Sequence, residues 1–120
     1  MCILDSDILF IYIRAPLNNT GIILTNFRGN VLNWVTAGSC GFKGARKATP
    51  FAAQTVVDMF RTKTTDSREK CREIHLYISG IGPGRETALR GLKKLEKITV
   101  IRDITPLPHN GCRPPKKRRT

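Results

Sequence analysis

The chain has 120 residues, 40% of them hydrophobic, and its 21 Lys and Arg outnumber 9 Asp and Glu for a formal net charge of +12. That length suits a single domain that buries a core without disulfides or a structural metal, and that hydrophobic share excludes wholesale disorder. The charge favours a polyanionic partner. Because almost no Trp or Phe accompanies the cationic tail, nucleic acid fits better than an anionic membrane, with a merely solubilising basic surface as the plain alternative.

The start, "MCILDSDILF", lacks a basic stretch and carries Asp5 and Asp7, so no targeting segment is expected there. Ile8 to Arg14 is apolar at nearly every position, which predicts a central strand covered on both faces and is far too short to span a bilayer. Asn18, Asn19, Thr20 and Gly21 supply turn chemistry. Ile22 to Phe27 and Val31 to Ala37 read as two further strands around "NFRGN", where Gly29 and Asn30 suit positive φ in a tight hairpin. The Gly-rich basic loop "AGSCGFKGARKATPF" ends at Thr49, a candidate N-cap, and Pro50, a candidate first helical residue.

A helix over Pro50 to Thr62 places Ala52, Val56, Met59 and Phe60 on one face, and Thr64 to Lys70 reads as a frayed helix end or loop. Glu73 to Ser79 alternates Ile74, Leu76 and Ile78 as a fourth strand. "GIGPGR" then leads into a second helix over Glu86 to Leu95, apolar at Ala88, Leu89, Leu92 and Leu95 and cationic at Arg90, Lys93, Lys94 and, just beyond it, Lys97. Ile98 to Asp103 is a fifth strand, and Pro106 and Pro108 end regular structure. The order β-β-β-α-β-α-β predicts one α/β domain over residues 1–105, in which a mixed five-stranded sheet joins an antiparallel meander to right-handed parallel crossovers. Residues 106–120 form an extended Pro-rich basic tail with a positive-φ turn at Asn110 and Gly111.

Candidate chemistry lies mostly in loops. In "GSCGFKGARK" neither Gly38 nor Gly41 has a glycine five residues on, so no Walker A loop is present. What remains is backbone that approaches a phosphate chain closely, with Lys43, Arg46 and Lys47 to neutralise it and a helix N-terminus behind them. "GIGPGRET" has Arg85 where the dinucleotide fingerprint needs glycine, which leaves an anion site at a helix N-terminus or a purely structural turn. The cationic helix face around Arg90 either meets an anion or is solvated. The nine acids include none on the first strand and form no cluster, and two histidines lack a partnered nucleophile, so the chain is expected to be no enzyme and to need no cofactor. Cys2, Cys40, Cys71 and Cys112 contain no C-x-x-C pair, and His109 with Cys112 gives only half a metal site, so reduced thiols and no metal are expected.

"NNTGIILTNFRGNVLNWVTAGSCGFKGARKATPFAAQ", "GIGPGRETALRGL" and above all "RDITPLPHNGCRPPKKRR" resemble the universal small-subunit ribosomal protein eleven family, in its bacterial and organellar form. The resemblance covers almost the whole chain from about Ile8. It implies a ribonuclease-H-like fold of the translational machinery, a place on the platform of the small subunit, and binding to the central domain of its ribosomal RNA. It also implies a border with the messenger RNA exit path and neighbours among small-subunit proteins six, eighteen and twenty-one, with seven nearby. Carried over residue by residue, the implied RNA contacts are Asn18, Asn19, Lys43, Gly44, Arg46, Lys47 and Arg85, together with His109, Asn110, Gly111, Arg113, Lys116, Lys117, Arg118 and Arg119 of the tail. Arg90 joins them from the cationic helix face.

Three departures accompany the match: the family's basic N-terminal arm is missing, the second glycine loop opens "GIG" rather than "GPG", and "LKKLEKI" is shortened. They favour an organellar ribosome, plastid or mitochondrial, over a bacterial cytoplasm. Two other readings stay open at this point, a free regulatory RNA-binding protein and, less well supported for want of carboxylates, a nuclease of related fold.

Overall fold

A computed structural model describes residues 8–65, 69, 71–94 and 97–117. Cys2, Asp5, Asp7, Asp66, Leu95, Glu96, Arg118 and Arg119 lie outside the described residues. The strands are β1 (Ile8–Arg14), β2 (Gly21–Asn26), β3 (Val31–Thr36), β4 (Glu73–Ser79) and β5 (Ile98–Asp103); the helices are α1 (Pro50–Lys63) and α2 (Arg85–Lys93). The strands form one mixed sheet in the order β3-β2-β1-β4-β5. β1 pairs antiparallel with β2 and parallel with β4, and β5 extends the sheet in parallel with β4.

Period-two alternation sets the register. Leu9, Ile11 and Ile13 of β1 are buried beside Ile22 and Leu24 of β2 and Ile74, Leu76 and Ile78 of β4. Onto this face α1 lays Ala52, Val56, Val57 and Phe60, and α2 adds Ala88 and Leu92. Each fully buried Leu, Ile or Phe contributes about 1.5–3 kcal/mol from apolar burial.

The expectation that β1 is covered on both faces is not met, and topology explains why. The crossovers from β3 to β4 and from β4 to β5 move the same way across the sheet. Right-handed connections therefore place both helices on one side. Phe10 and Tyr12, which point the other way, are only half-buried.

Smaller corrections concern faces and turns. Met59 is 40% exposed, whereas Ala53 and Val57 are buried, because α1 must meet α2 as well as the sheet. At Gly91 a Cβ would lie 2.6 Å from Val57 Cγ1, so the absence of a side chain lets the helices approach. In the β2–β3 hairpin only Gly29 has positive φ, at 89°; Asn30 is instead held by its N–H, which donates to Asn26 Oδ1 at 3.0 Å. Among the described residues no disulfide is formed.

Candidate nucleic-acid interface

β1, β3, β4 and β5 run in one direction, so their C-terminal ends share one end of the sheet. From that end leave the turn with Asn18 and Asn19, the basic loop after β3, the glycine loop after β4, and the tail after β5. Both helices begin there too, so the positive ends of their backbone dipoles point the same way. Hydrogen bonds join the segments: Ala37 N–H donates to the Thr20 carbonyl at 3.0 Å, and Gly82 N–H to the Ala15 carbonyl at 2.6 Å. Residues scattered from position 18 to 105 are thereby brought to one end of the sheet, from which the tail departs.

The basic loop is more structured than a flexible glycine stretch. Ser39 and Thr36 exchange side-chain hydrogen bonds that turn the chain out of β3. Phe42 then packs on the core, and its ring meets Phe51 edge-on at 5.9 Å. Gly44 takes a φ of 60° and opens a 3₁₀ turn over Gly44–Ala48, which delivers the chain to Thr49. Thr49 caps α1 as its spacing predicts: its hydroxyl accepts from Ala52 N–H at 3.2 Å, and Pro50 follows.

Lys43 and Arg46 are exposed and Lys47 is half-buried on this scaffold, with no ion-pair or hydrogen-bond partner for their side chains among the described residues. Lys43 and Arg46 line a shallow hollow with Cys40, Gly41 and Phe42. Burial pushes the Cys40 thiol up, so it stays neutral beside these cations. Nearby, Asn18 is exposed, and half-buried Asn19 accepts at Oδ1 from the Thr20 N–H at 2.8 Å, a bond that does not use its amide donors.

Arg85 has a different setting. One guanidinium nitrogen donates to the Gly80 carbonyl at 2.9 Å and to the Thr105 hydroxyl at 3.2 Å, and the other pairs with Asp103 at 2.7 Å. Thr105 closes the clasp, donating its N–H and hydroxyl to Asp103 Oδ1 while its hydroxyl accepts from Gly80 N–H. The Arg85 and Thr105 hydrogen bonds hold the Asp103 carboxyl well below the usual carboxylate range. Glycine loop, helix start and tail root are thus tied at one point. Gly82 and Gly80 crowd Ala15 and Pro16 so closely that a Cβ on either would collide with backbone, which favours the structural reading of this turn.

Arg90 is exposed on α2, more than one turn beyond Arg85. Residues 106–117 lie outside helix and strand and are exposed; Asn110 takes a φ of 55°, and Gly111 does not share the positive φ. The clasp partners Asp103 and Thr105 were not singled out as a site in the sequence. Their signal is local, an Asp whose side chain accepts from the N–H two residues on. Among the described residues no three His, Cys, Asp or Glu side chains come together, and no helix is long and apolar enough to cross a membrane.

Residues 10–119 match the family model described as Ribosomal protein S11. The chain is similar to the small ribosomal subunit protein uS11c of Angiopteris evecta, with 53% identity over 110 residues that make up 91% of this chain and 83% of that protein. Similarity to uS11c of Chlorella vulgaris is 53% over 109 residues, 90% of this chain and 82% of that one. The small ribosomal subunit protein uS11 of Rippkaea orientalis is 50% identical over 109 residues, with the same coverage of 90% and 82%.

Proposed function

Because this chain belongs to the ribosomal protein S11 family, we propose that the end of the sheet where its loops, helix starts and tail converge is the surface that holds ribosomal RNA. The chain is a structural, non-enzymatic constituent of the small subunit, in a ribosome of plastid or bacterial type, and its partners are ribosomal RNA and other ribosomal proteins. The finer placement is our reading: the platform and central domain of the RNA, a border on the messenger exit path, and neighbours among proteins six, eighteen, twenty-one and seven. In the same reading, residues 1–105 are the RNA-binding domain and 106–120 an arm that leaves it.

One observation carries the proposal. Lys43, Arg46 and Lys47 stand without side-chain partners among the described residues, beside the start of α1, on the surface from which the tail departs. Such cations neutralise phosphates, while Gly44, Asn18 and Asn19 offer close backbone approach and amide donors. Arg90, His109, Asn110, Gly111, Arg113, Lys116 and Lys117 extend the same cationic track, with Arg118 and Arg119 at its far end in the sequence. Arg85 enters differently: it is chiefly a brace that aims the tail, with its remaining N–H donors turned to RNA.

The test replaces Lys43, Arg46 and Lys47 together with Ala and measures affinity for small-subunit ribosomal RNA against salt. Each lost phosphate contact should flatten the slope of log affinity against log salt by about 0.9 on duplex-like RNA. The thermal midpoint should stay put, since none of the three fills the core. Unchanged slope and affinity would reduce the loop to a turn.

A further inference from the structure

The face of the sheet opposite α1 and α2 carries no helix among the described residues, yet it is not polar. Cross-strand register sets Trp34, Ile23, Tyr12 and Tyr77 in one row, with Phe10 and His75 in the next. Trp34 is 57% exposed and the others are half-buried. Contiguous apolar surface of this kind on a small protein marks an interaction site.

The rings themselves decide between partners. Tyr12 and Tyr77 stack at 5.3 Å with planes 21° apart, and Phe10 and Tyr77 at 5.8 Å with planes 23° apart. Rings stacked on one another across strands give their faces to each other and their edges to solvent. Nucleobases need open ring faces, and the central rings do not offer them. Edges and grooves instead suit aliphatic side chains. At the Arg14 end a hollow of about 250 Å³, lined by Tyr12, Ile13, Arg14, Ile23, Ser79 and Ile104, has room for the end of one Leu, Ile or Met.

Charge narrows the partner further. Arg14 and Arg102 project from this face, by register with Ser79 and Tyr77, and neither has an ion-pair or hydrogen-bond partner among the described residues. The acid on the face, Glu73, already accepts from Thr99 at 3.0 Å and lies 3.8 Å from His75. Five strands span about 19 Å, the length of roughly 13 helical residues.

We infer that this face docks an amphipathic α-helix of another small-subunit protein, with an apolar stripe on the Trp34-to-Tyr77 row, one aliphatic anchor in the hollow, and Asp or Glu reaching Arg14 and Arg102. The inference rests on the ribosomal reading and adds a surface separate from the RNA end. Docking of this kind draws its affinity from a few anchors in desolvated pockets.

The test places the photocrosslinker benzoylphenylalanine at Tyr12 of the full chain in assembled small subunits, with adducts identified by mass spectrometry. An adduct to a protein segment with apolar residues three and four apart and acids beside them is the expected result; an RNA adduct, an adduct to a segment without that pattern, or none in subunits that contain the chain overturns the inference. As a second arm, Ile23→Glu should lower occupancy of that neighbour roughly tenfold while affinity of the free protein for ribosomal RNA changes less than twofold. Unchanged occupancy, or an equal loss of RNA affinity, overturns it as well. Failure of the RNA-end reading is seen separately, in the salt slope of the loop variant.

Discussion

At the scale of single residues, Asp103 shows how one exposed carboxylate organises a junction. It is not buried, so its low pKa comes from donors rather than from desolvation: first the Arg85 guanidinium, then the Thr105 hydroxyl and N–H. A folded pKa below the unfolded value of about 3.9 means that its contribution is present above roughly pH 4 and lost as pH falls below that. Asp103→Asn should therefore lower the thermal midpoint at pH 7, and the gap between variant and parent should narrow as both are acidified from about pH 4 towards pH 2. Thermal melts across that range check it; a gap that had not narrowed by pH 2 would assign the effect to packing instead. Arg85 was legible as a charged residue at a helix start, a setting that suggests an anion from outside. Its anion is internal, because β5 returns beside β4 and ends in an acid, and no local spacing discloses a partner 18 residues away.

At the scale of elements, alternation in β4, capping at Thr49 and the Gly29 turn are local events, and each was readable from a few neighbouring residues. Faces were harder, since an apolar run such as Ile8 to Ile13 looks the same whether one side or both are covered. What decides it is the number of helices and the side to which right-handed crossovers send them, and that requires the strand order. The same dependence explains Met59, whose helical spacing fits a core stripe but which falls beyond the wedge between α2 and the sheet. Gly91 marks that wedge. Gly91→Val forces a branched side chain against Val57 and should destabilise the fold by about 1–3 kcal/mol despite Val's greater bulk of apolar surface. Val57→Ala in the same chain should recover part of the loss, and a double-mutant cycle by urea unfolding measures the coupling. Phe60→Ala, at the centre of the α1 contact, should cost more, about 3–5 kcal/mol, with no second-site recovery from Val57→Ala.

At the scale of the whole molecule, the distribution of charge and the distribution of burial are nearly complementary. Gly41 to Thr120 holds 19 of the 21 basic residues, while β1 and β2 supply much of the core. The tail carries this separation furthest: residues 106–117 contribute nothing to the buried cluster, yet four of these twelve are prolines, Pro106, Pro108, Pro114 and Pro115. Prolines fix φ and reduce the states open to the free chain, so the proposed arm would lose less entropy on settling on RNA, and the Asn110 bend redirects it once. Arg113, Lys116 and Lys117, with Arg118 and Arg119, are like charges that repel one another, a repulsion that phosphates would relieve in the proposed role. Removing Arg113 to Thr120 should therefore leave the thermal midpoint of the domain nearly unchanged, because the clasp at Asp103 and Thr105 holds the tail root on the body side of the cut. Affinity for ribosomal RNA should fall steeply at moderate salt, with the salt slope reduced by about 3 to 5 for five lost phosphate contacts, and incorporation into small subunits should drop with it. A truncated chain that melted earlier but bound and assembled normally would make the tail a part of the fold rather than an arm for RNA.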